Sequence, residues 1–312
     1  MDERNKIALK LILVHIVLPV GLIFIFFFVS NDAYLFLFIV QTYLCILFLS
    51  GYWEFFGSLF KNLFFGLLES ALLLILLNKL VAPLNSHFNV VLICIFALIQ
   101  AYLILAIVKI NITIFKKEKN SLEITFPLRN GKYLITDGGN SKISRLMNYH
   151  FYSRVHRKNK TNNSMLFATD VVKIGRKNKR FLPKDNKEYP IFGEKVYCPM
   201  DGKIIKVENT IDDNVPFIGT YPYNTGNTVV IKNANYYFLL GHLKKGSITV
   251  SNGKIVKAGD LIGQIGNSGY SERPHLHMQL IESDSENFWL GKGICIRVNG
   301  KNLFKNRVVE IA

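Results

Sequence analysis

The sequence predicts two parts of different class, an N-terminal all-α transmembrane bundle and a C-terminal mainly-β domain built on antiparallel sheet. Long apolar runs fill the first third of the 312 residues, whereas short runs of period-2 alternation, broken by Gly, Asn and Pro, fill the rest. Charge divides in the same place. Residues 1–119 carry 9 Lys+Arg and 6 Asp+Glu, a net +3, and the remainder of the chain holds +13 of the total +16. The expected boundaries are 1–115 for the membrane part, 116–124 for a charged linker and 125–312 for the second domain.

Residues 11–30 carry no formal charge, and at this length a helix crosses the roughly 30 Å hydrocarbon core. The run is too long, and too quickly followed by another, for a cleaved signal peptide. Residues 33–53, 63–80 and 88–108 repeat the pattern, so about four helices are expected in a multi-pass membrane anchor. The third is the weakest by sequence, because Glu69 interrupts it and 53–62 suits the interface. An acid at membrane depth needs a partner, and His15, at similar depth if the first and third runs cross in the same direction, is one candidate.

Four crossings would gather Arg4, Lys6, Lys10, Lys61, Lys109, Lys116, Lys117 and Lys119 on one side, against Lys79 on the other. The positive-inside rule makes that side cytoplasmic.

In the second half, strands are expected over 132–135, 166–172, 196–207, 227–232, 236–243, 259–265 and 275–281, with an exposed basic loop over 176–189. No nucleic-acid motif accompanies the basic charge, so its partner is expected to be an anionic surface, lipid bilayer or wall polymer, and not nucleic acid. Cys198 and Cys295 lie in this half without a Cys-x-x-Cys spacing; no disulfide framework is indicated, and a single bridge between them stands open.

Four residues carry chemistry. His275 and His277 are two apart, and positions i and i+2 of a strand point to one face, where two imidazoles can serve a single metal site. Asp170 is a lone acid in an apolar strand, where an unpaired carboxylate is costly and a metal removes the cost. His242 ends another apolar strand beside a turn, placed either to hold a proton or to cap the strand. A hydrolytic zinc site needs about three protein ligands and an open position for water.

The segments Gly241-His242-Leu243, Gly246-Ser247-Ile248, Val256-Lys257-Ala258-Gly259-Asp260, Ile262-Gly263, Gly266-Asn267-Ser268-Gly269 and Pro274-His275-Leu276-His277 follow in order, with 196–204 upstream. Together they resemble the lysostaphin-type (LytM-like) zinc endopeptidases, over residues 125–285, with Cys198 where a small residue such as Ala is usual. The resemblance implies an antiparallel β metallopeptidase domain with zinc in a groove. It also implies Asp170 and His277 as metal ligands, and His242 and His275 as the catalytic histidines that activate the attacking water and stabilise the oxyanion.

In the family's common His-x-x-x-Asp pattern the first ligand would be residue 166, which is Leu here. Gly138-Gly139 and Asn148-Tyr149-His150 match the arrangement of some members, which ranks His150 ahead of the alternative His156 as third metal ligand. The expected function is zinc-dependent hydrolysis of peptide bonds in peptidoglycan stems or cross-bridges by a protein anchored in a bacterial cell membrane, with its peptidase domain on the extracytoplasmic face against the charge bias, which an interfacial third run would allow. The alternative is a non-catalytic wall-binding or regulatory module that keeps the fold.

Overall fold

The computed structural model describes residues 3–28, 34–81, 90–152, 162–175, 181–218 and 224–312, in two units, Met1–Ile112 and Thr113–Ala312.

All regular structure among the described residues of the first unit is helical. Helix α1 (Glu3–Ile12) passes through a π turn (Leu13–Val17) into α2 (Leu18–Phe28), and α3 (Tyr34–Ser50), α4 (Ser58–Val81) and α5 (Val90–Phe115) follow. Pro19 explains the π turn: it offers no N–H to the carbonyl of His15, and its ring crowds that carbonyl unless the turn widens. Val40, Leu44 and Leu47 form one stripe of α3 and pack with Phe65, Leu68 and Leu72 of α4, Ile23 and Trp53.

Three stretches are long and apolar enough to cross a membrane, Glu3–Ile25, Leu59–Leu76 and Cys94–Phe115, and the apolar stretch Phe36–Ser50 is shorter. The run read as weakest by sequence, 63–80, overlaps one of the three, and all four lie in helices among the described residues. Helix α4 runs unbroken for 24 residues, and Gln41 Nε2 donates to Glu69 Oε1 at 3.1 Å, which supplies the polar partner that Glu69 needs. His15 is engaged elsewhere: Nδ1–H donates to Leu11 O at 3.0 Å and Nε2 accepts from the Tyr52 N–H at 2.9 Å.

The second unit is built from β1 (Ser121–Glu123), β2 (Gly131–Asp137), β3 (Thr169–Lys173), β4 (Lys195–Tyr197), β5 (Gly202–Glu208), β6 (Asn227–Asn233), β7 (Tyr236–Leu243), β8 (Ile255–Val256), β9 (Leu261–Gln264), β10 (Leu276–Glu282), β11 (Lys292–Gly293), β12 (Cys295–Val298), β13 (Lys301–Asn302) and β14 (Val308–Ile311). Its main sheet has the order β14-β2-β3-β10-β7-β6-β5-β8, with β11 added to β10, and every pairing in it is antiparallel. Strands β4 and β9 form a separate pair, and β1 lies parallel to β12 in a small sheet with β13.

Alternation along β10 sets the two faces. Leu276, Met278 and Leu280 join Val229, Ile231, Phe238 and Leu240 in the main core, each worth about 1.5–3 kcal/mol of apolar burial. His277, Gln279 and Ile281 point the other way, where Ile281 packs with Val230, Tyr237, Leu239 and Phe288.

Several expected elements shift. The run 196–207 splits into β4 and β5, because Pro199 has no N–H for a ladder and Gly202 lies so close to β6 that a Cβ there would meet Lys232 O at 2.6 Å. Residues 166–168 belong to a turn after the 3₁₀ segment Asn163–Met165, so β3 begins only at Thr169. Residues 121–123, expected as linker, form β1, and the loop expected at 176–189 is described from 181 on, with Leu182 and Tyr189 buried in it. Cys198 and Cys295 are both free, so the bridge left open by the sequence is not formed.

Candidate metal centre

The register places the site. His277 on β10 lies directly opposite Asp170 on β3, and Asp170 lies opposite Asp137 on β2. One transverse row of the sheet thus carries an imidazole and two carboxylates on the face turned away from the main core. All three residues are buried.

His150 reaches this row from a 3₁₀ turn, His150–Tyr152. Asn148 holds the turn. Its Nδ2 donates to Gly139 O and Ala168 O, each at 2.8 Å, which leaves Oδ1 to accept from His150 Nδ1–H at 2.7 Å and from the His150 backbone N–H at 3.1 Å. Nε2 is then the free end of the ring, 3.3 Å from Asp170 Oδ2. The alternative ligand, His156, lies outside the described residues.

His277 Nδ1 lies 2.9 Å from Asp170 Oδ1, and its Nε2 faces Gln279 Oε1 at 3.4 Å. Gln279 cannot turn its amide round without loss, because Nε2 donates to Ser164 O at 2.8 Å.

His242 is brought in by a defect in the sheet. Leu243 pairs with Asn227 and Leu240 with Val229, so Gly241 and His242 together oppose Thr228, as in a β-bulge. His242 takes up the irregularity with φ 59°. Regular alternation would send its side chain into the face opposite His277; instead the two ring centroids stand 5.6 Å apart, and the His242 and His275 rings stand 4.7 Å apart. His242 Nδ1–H donates to Ser268 O at 2.8 Å. His275 Nδ1–H donates to Arg273 O at 2.8 Å, with its Nε2 3.6 Å from Asp170 Oδ2. The structure therefore brings His150, Asp170, His242, His275 and His277 into one buried cluster.

Burial opposes the charge of Asp170, yet the charges of His150 and His275 and hydrogen bonds from His150 and His277 hold its carboxyl well below the usual range. His150 is also desolvated, but Asp170 and Asp137 outweigh that and raise it. His242 and His275 are both lowered, first by burial; for His242 the charges of His275 and His277 add to the effect. Those two rings therefore stay neutral at pH 7, each with Nε2 as a base.

The donor set fits a metal for a reason internal to the structure. Oriented oxygen acceptors face both nitrogens of His150 and both nitrogens of His277, whereas a neutral imidazole has one proton. A cation at the Asp170 edge of both rings resolves the shortage. His150, Asp170 and His277 each offer an atom, all within 4.8 Å of one another. Two imidazoles and a carboxylate suit zinc, whose ligands at 2.0–2.2 Å from a tetrahedral centre stand roughly 3.4 Å apart.

Sequence reasoning missed four residues here. Asn148 and Gln279 orient the two ligand rings. Asp137 is buried beside Asp170, with its carboxyl pushed up to about 6 by burial against the pull of Lys305 and His150. Asn186, read as part of an exposed loop, accepts from Asn267 Nδ2 at 3.0 Å. Asn148, quoted in the Asn-x-His match without a role, and Asp137, at the end of an alternating strand before Gly138-Gly139, left a signal in the sequence.

Peptidase family M23 matches residues 189–288, a stretch that contains His242, His275 and His277 but neither His150 nor Asp170. The chain is similar to an uncharacterized metalloprotease of Buchnera aphidicola, 35% identical over 125 residues, 40% of this chain and 29% of that protein. It is similar also to the peptidoglycan DD-endopeptidase ShyA of Vibrio cholerae, 34% identical over 104 residues, 33% of this chain and 21% of that protein. The chain thus spans less than a third of either relative. Among solved structures, the catalytic domain of lysostaphin from Staphylococcus simulans matches at 27% identity and TM-score 0.25, over 33% of this chain and 68% of that one.

Proposed function

We infer, from the match to peptidase family M23 over residues 189–288, that this chain is a membrane-anchored zinc endopeptidase acting on peptide bonds of peptidoglycan stems or cross-bridges. The observation that carries the reading is the buried triangle of His150, Asp170 and His277, with two further neutral imidazoles beside it. The similarity to a peptidoglycan endopeptidase supports the substrate class.

His150 through Nε2, His277 through Nδ1 and Asp170 through a carboxylate oxygen would hold zinc. The ion would supply Lewis-acid polarisation of the scissile carbonyl and a lowered pKa for water. The chain's own residues do the rest. His242 and His275 each present an unprotonated Nε2 toward the site, because Ser268 O and Arg273 O fix the proton on Nδ1. One ring takes the proton of the attacking water at Nε2; once charged, that ring donates to the tetrahedral oxyanion or to the departing amine. Burial keeps bulk water from competing for these protons.

Placement of the domain outside the cytoplasm follows from an odd number of crossings. Three crossings by the stretches long enough to span, with Arg4, Lys6 and Lys10 at the start of the first kept inside, would carry the C-terminal domain to the far side. The basic residues after α5 oppose this by the same rule, and protease accessibility of the domain in intact protoplasts decides it.

The test of the activity uses the purified full chain in detergent. It is expected to bind about one zinc per chain and to release amines from purified peptidoglycan in a chelator-sensitive way. A chain that binds no zinc and releases none overturns the reading; one that binds wall fragments and is indifferent to His275→Ala is a regulatory module.

A further inference from the structure

The loop between β9 and β10 carries a cation that the chemistry above does not use. Arg273 stands two residues before His275, in a segment whose backbone is pinned. Ser271 O accepts from Asn214 Nδ2 at 3.0 Å, and Glu272 O accepts from the Phe217 N–H at 2.8 Å. Arg273 O accepts from His275 Nδ1–H at 2.8 Å, and Pro274 has its φ set by its own ring. Successive carbonyls are thus engaged, so the Arg273 side chain starts from a fixed Cα.

That side chain turns inward. Arg273 is half-buried and its Nε is buried, which lays the stem of the guanidinium against the domain. Arg273 precedes His277 by four residues, whereas Asp137 lies in the transverse row of His277, two strands along in the order β2-β3-β10. Burial shifts Asp137 and His275 most, but both also feel the Arg273 charge, which draws each of them down. A cation directed out into solvent would be screened from both. The guanidinium therefore reaches back over the metal centre, on the side from which a substrate enters.

The acids of the row are committed to other groups. Asp170 meets His150 and His277, and among the charges that act on Asp137 that of Lys305 is the largest. A guanidinium has five N–H donors in a planar fork and keeps its charge at any working pH. It can hold the domain through one edge and still offer two parallel N–H groups to an arriving carboxylate.

We propose that Arg273 is a specificity-determining residue whose paired N–H groups bind a carboxylate of the peptide substrate beside the scissile bond. The proposal rests on the peptidase reading and narrows its substrate to an acidic peptide, in which the carboxylate is either the C-terminal one or one on a side chain.

The test uses the zinc-loaded full chain in detergent and synthetic wall peptides in three forms: all carboxylates free, the C-terminus alone amidated, or the side chains alone amidated. For the parent, kcat/KM is expected to be about 10- to 100-fold higher on the free peptide than on one of the two amides, the range that a hydrogen bond to a charged group supplies. The amide that loses identifies which carboxylate is held. Arg273→Gln should bring that ratio to within about twofold, mainly through KM, with zinc content unchanged. Arg273→Lys keeps the charge without the fork and should give a ratio between the two. A folded Arg273→Gln that keeps the parent's ratio overturns the proposal, and so does a parent indifferent to both amides. If Arg273→Gln fails to fold, Arg273→Lys decides by the same criterion, since a ratio equal to the parent's excludes the fork. If the parent cleaves none of the peptides, the peptidase reading fails, and the ratio of calorimetric Kd values for the same peptides, parent against variant, decides the role of Arg273.

Discussion

Asp170 and His277 face each other across the antiparallel pair β3–β10, with Asp170 Oδ1 2.9 Å from His277 Nδ1. The same carboxylate reaches His150 Nε2 through Oδ2 at 3.3 Å. One side chain therefore holds both imidazoles in place before any ion arrives. Asp170→Asn keeps the shape and removes the charge. Metal analysis after gel filtration should show zinc falling from about one ion per chain to below about a tenth, and retained zinc would remove Asp170 from the ligand set.

Gln279 tests whether the orientation of the ring matters apart from the ligand itself. Gln279→Ala frees His277 Nε2 from its only described acceptor and leaves all three donor atoms. Zinc affinity, measured by competition with a chromophoric chelator, should weaken by about 10- to 100-fold. A change smaller than threefold would show that strand packing alone fixes His277.

His242→Ala and His275→Ala remove the proton-handling rings and spare the ligands. Each should lower kcat on wall peptides by about 10²- to 10⁴-fold with zinc content unchanged. Loss of zinc in either variant would instead make that histidine a ligand.

Stability of the zinc-free chain should depend on pH through the same rings. His242 and His275 have folded pKa values below their unfolded value of about 6.5. The unfolded chain then binds more protons below that value, so stability falls as pH drops from 7 toward 5, by up to about 1.4 kcal/mol per pH unit for each ring. His150, raised by its carboxylate neighbours, gives the opposite slope. In denaturant titrations at pH 7 and pH 5, His242→Gln should show a shallower loss than the parent. An equal or steeper loss would mean that His242 is charged in the folded state.

Burial pushes the Cys198 thiol up to about 11 and the Cys295 thiol up to about 12. Both should resist alkylation near pH 8 until the domain is denatured, when peptide mapping should find them modified without prior reduction. A requirement for reductant would indicate a bridge.

Residue pattern alone carried the division into apolar helices and an antiparallel β domain, because hydrophobic period reports which surfaces must be buried. It also carried Asp170, since a lone carboxylate in an apolar strand needs a reason. Three features were hidden by long-range geometry. The partner of Glu69 is Gln41, 28 positions away, and no local spacing announces that contact. The split of 196–207 depends on the approach of β6 to Gly202, which only the assembled sheet reveals. Asn148, Asn186 and Gln279 act through amide orientation, and a buried amide reads in sequence like any polar loop or strand residue. For the third ligand, the sequence could rank His150 ahead of His156 only by resemblance, whereas the Asn148 clamp gives His150 a physical reason to point at Asp170.

The extra residue in β7 makes the fold's most stable neighbour a chemically blank one. Deleting Gly241 would let β6 and β7 pair without interruption and would relieve the left-handed backbone at residue 242, so the change is a repair by every criterion of sheet regularity. It would also set the histidine directly across from His277, in the place that Gly241 holds, and take its ring away from Ser268 O and His275. Random mutagenesis selected for thermal tolerance alone should therefore find this locus and extinguish the activity there, whereas selection for hydrolysis should keep the irregular length of β7 even when surrounding strand residues are exchanged.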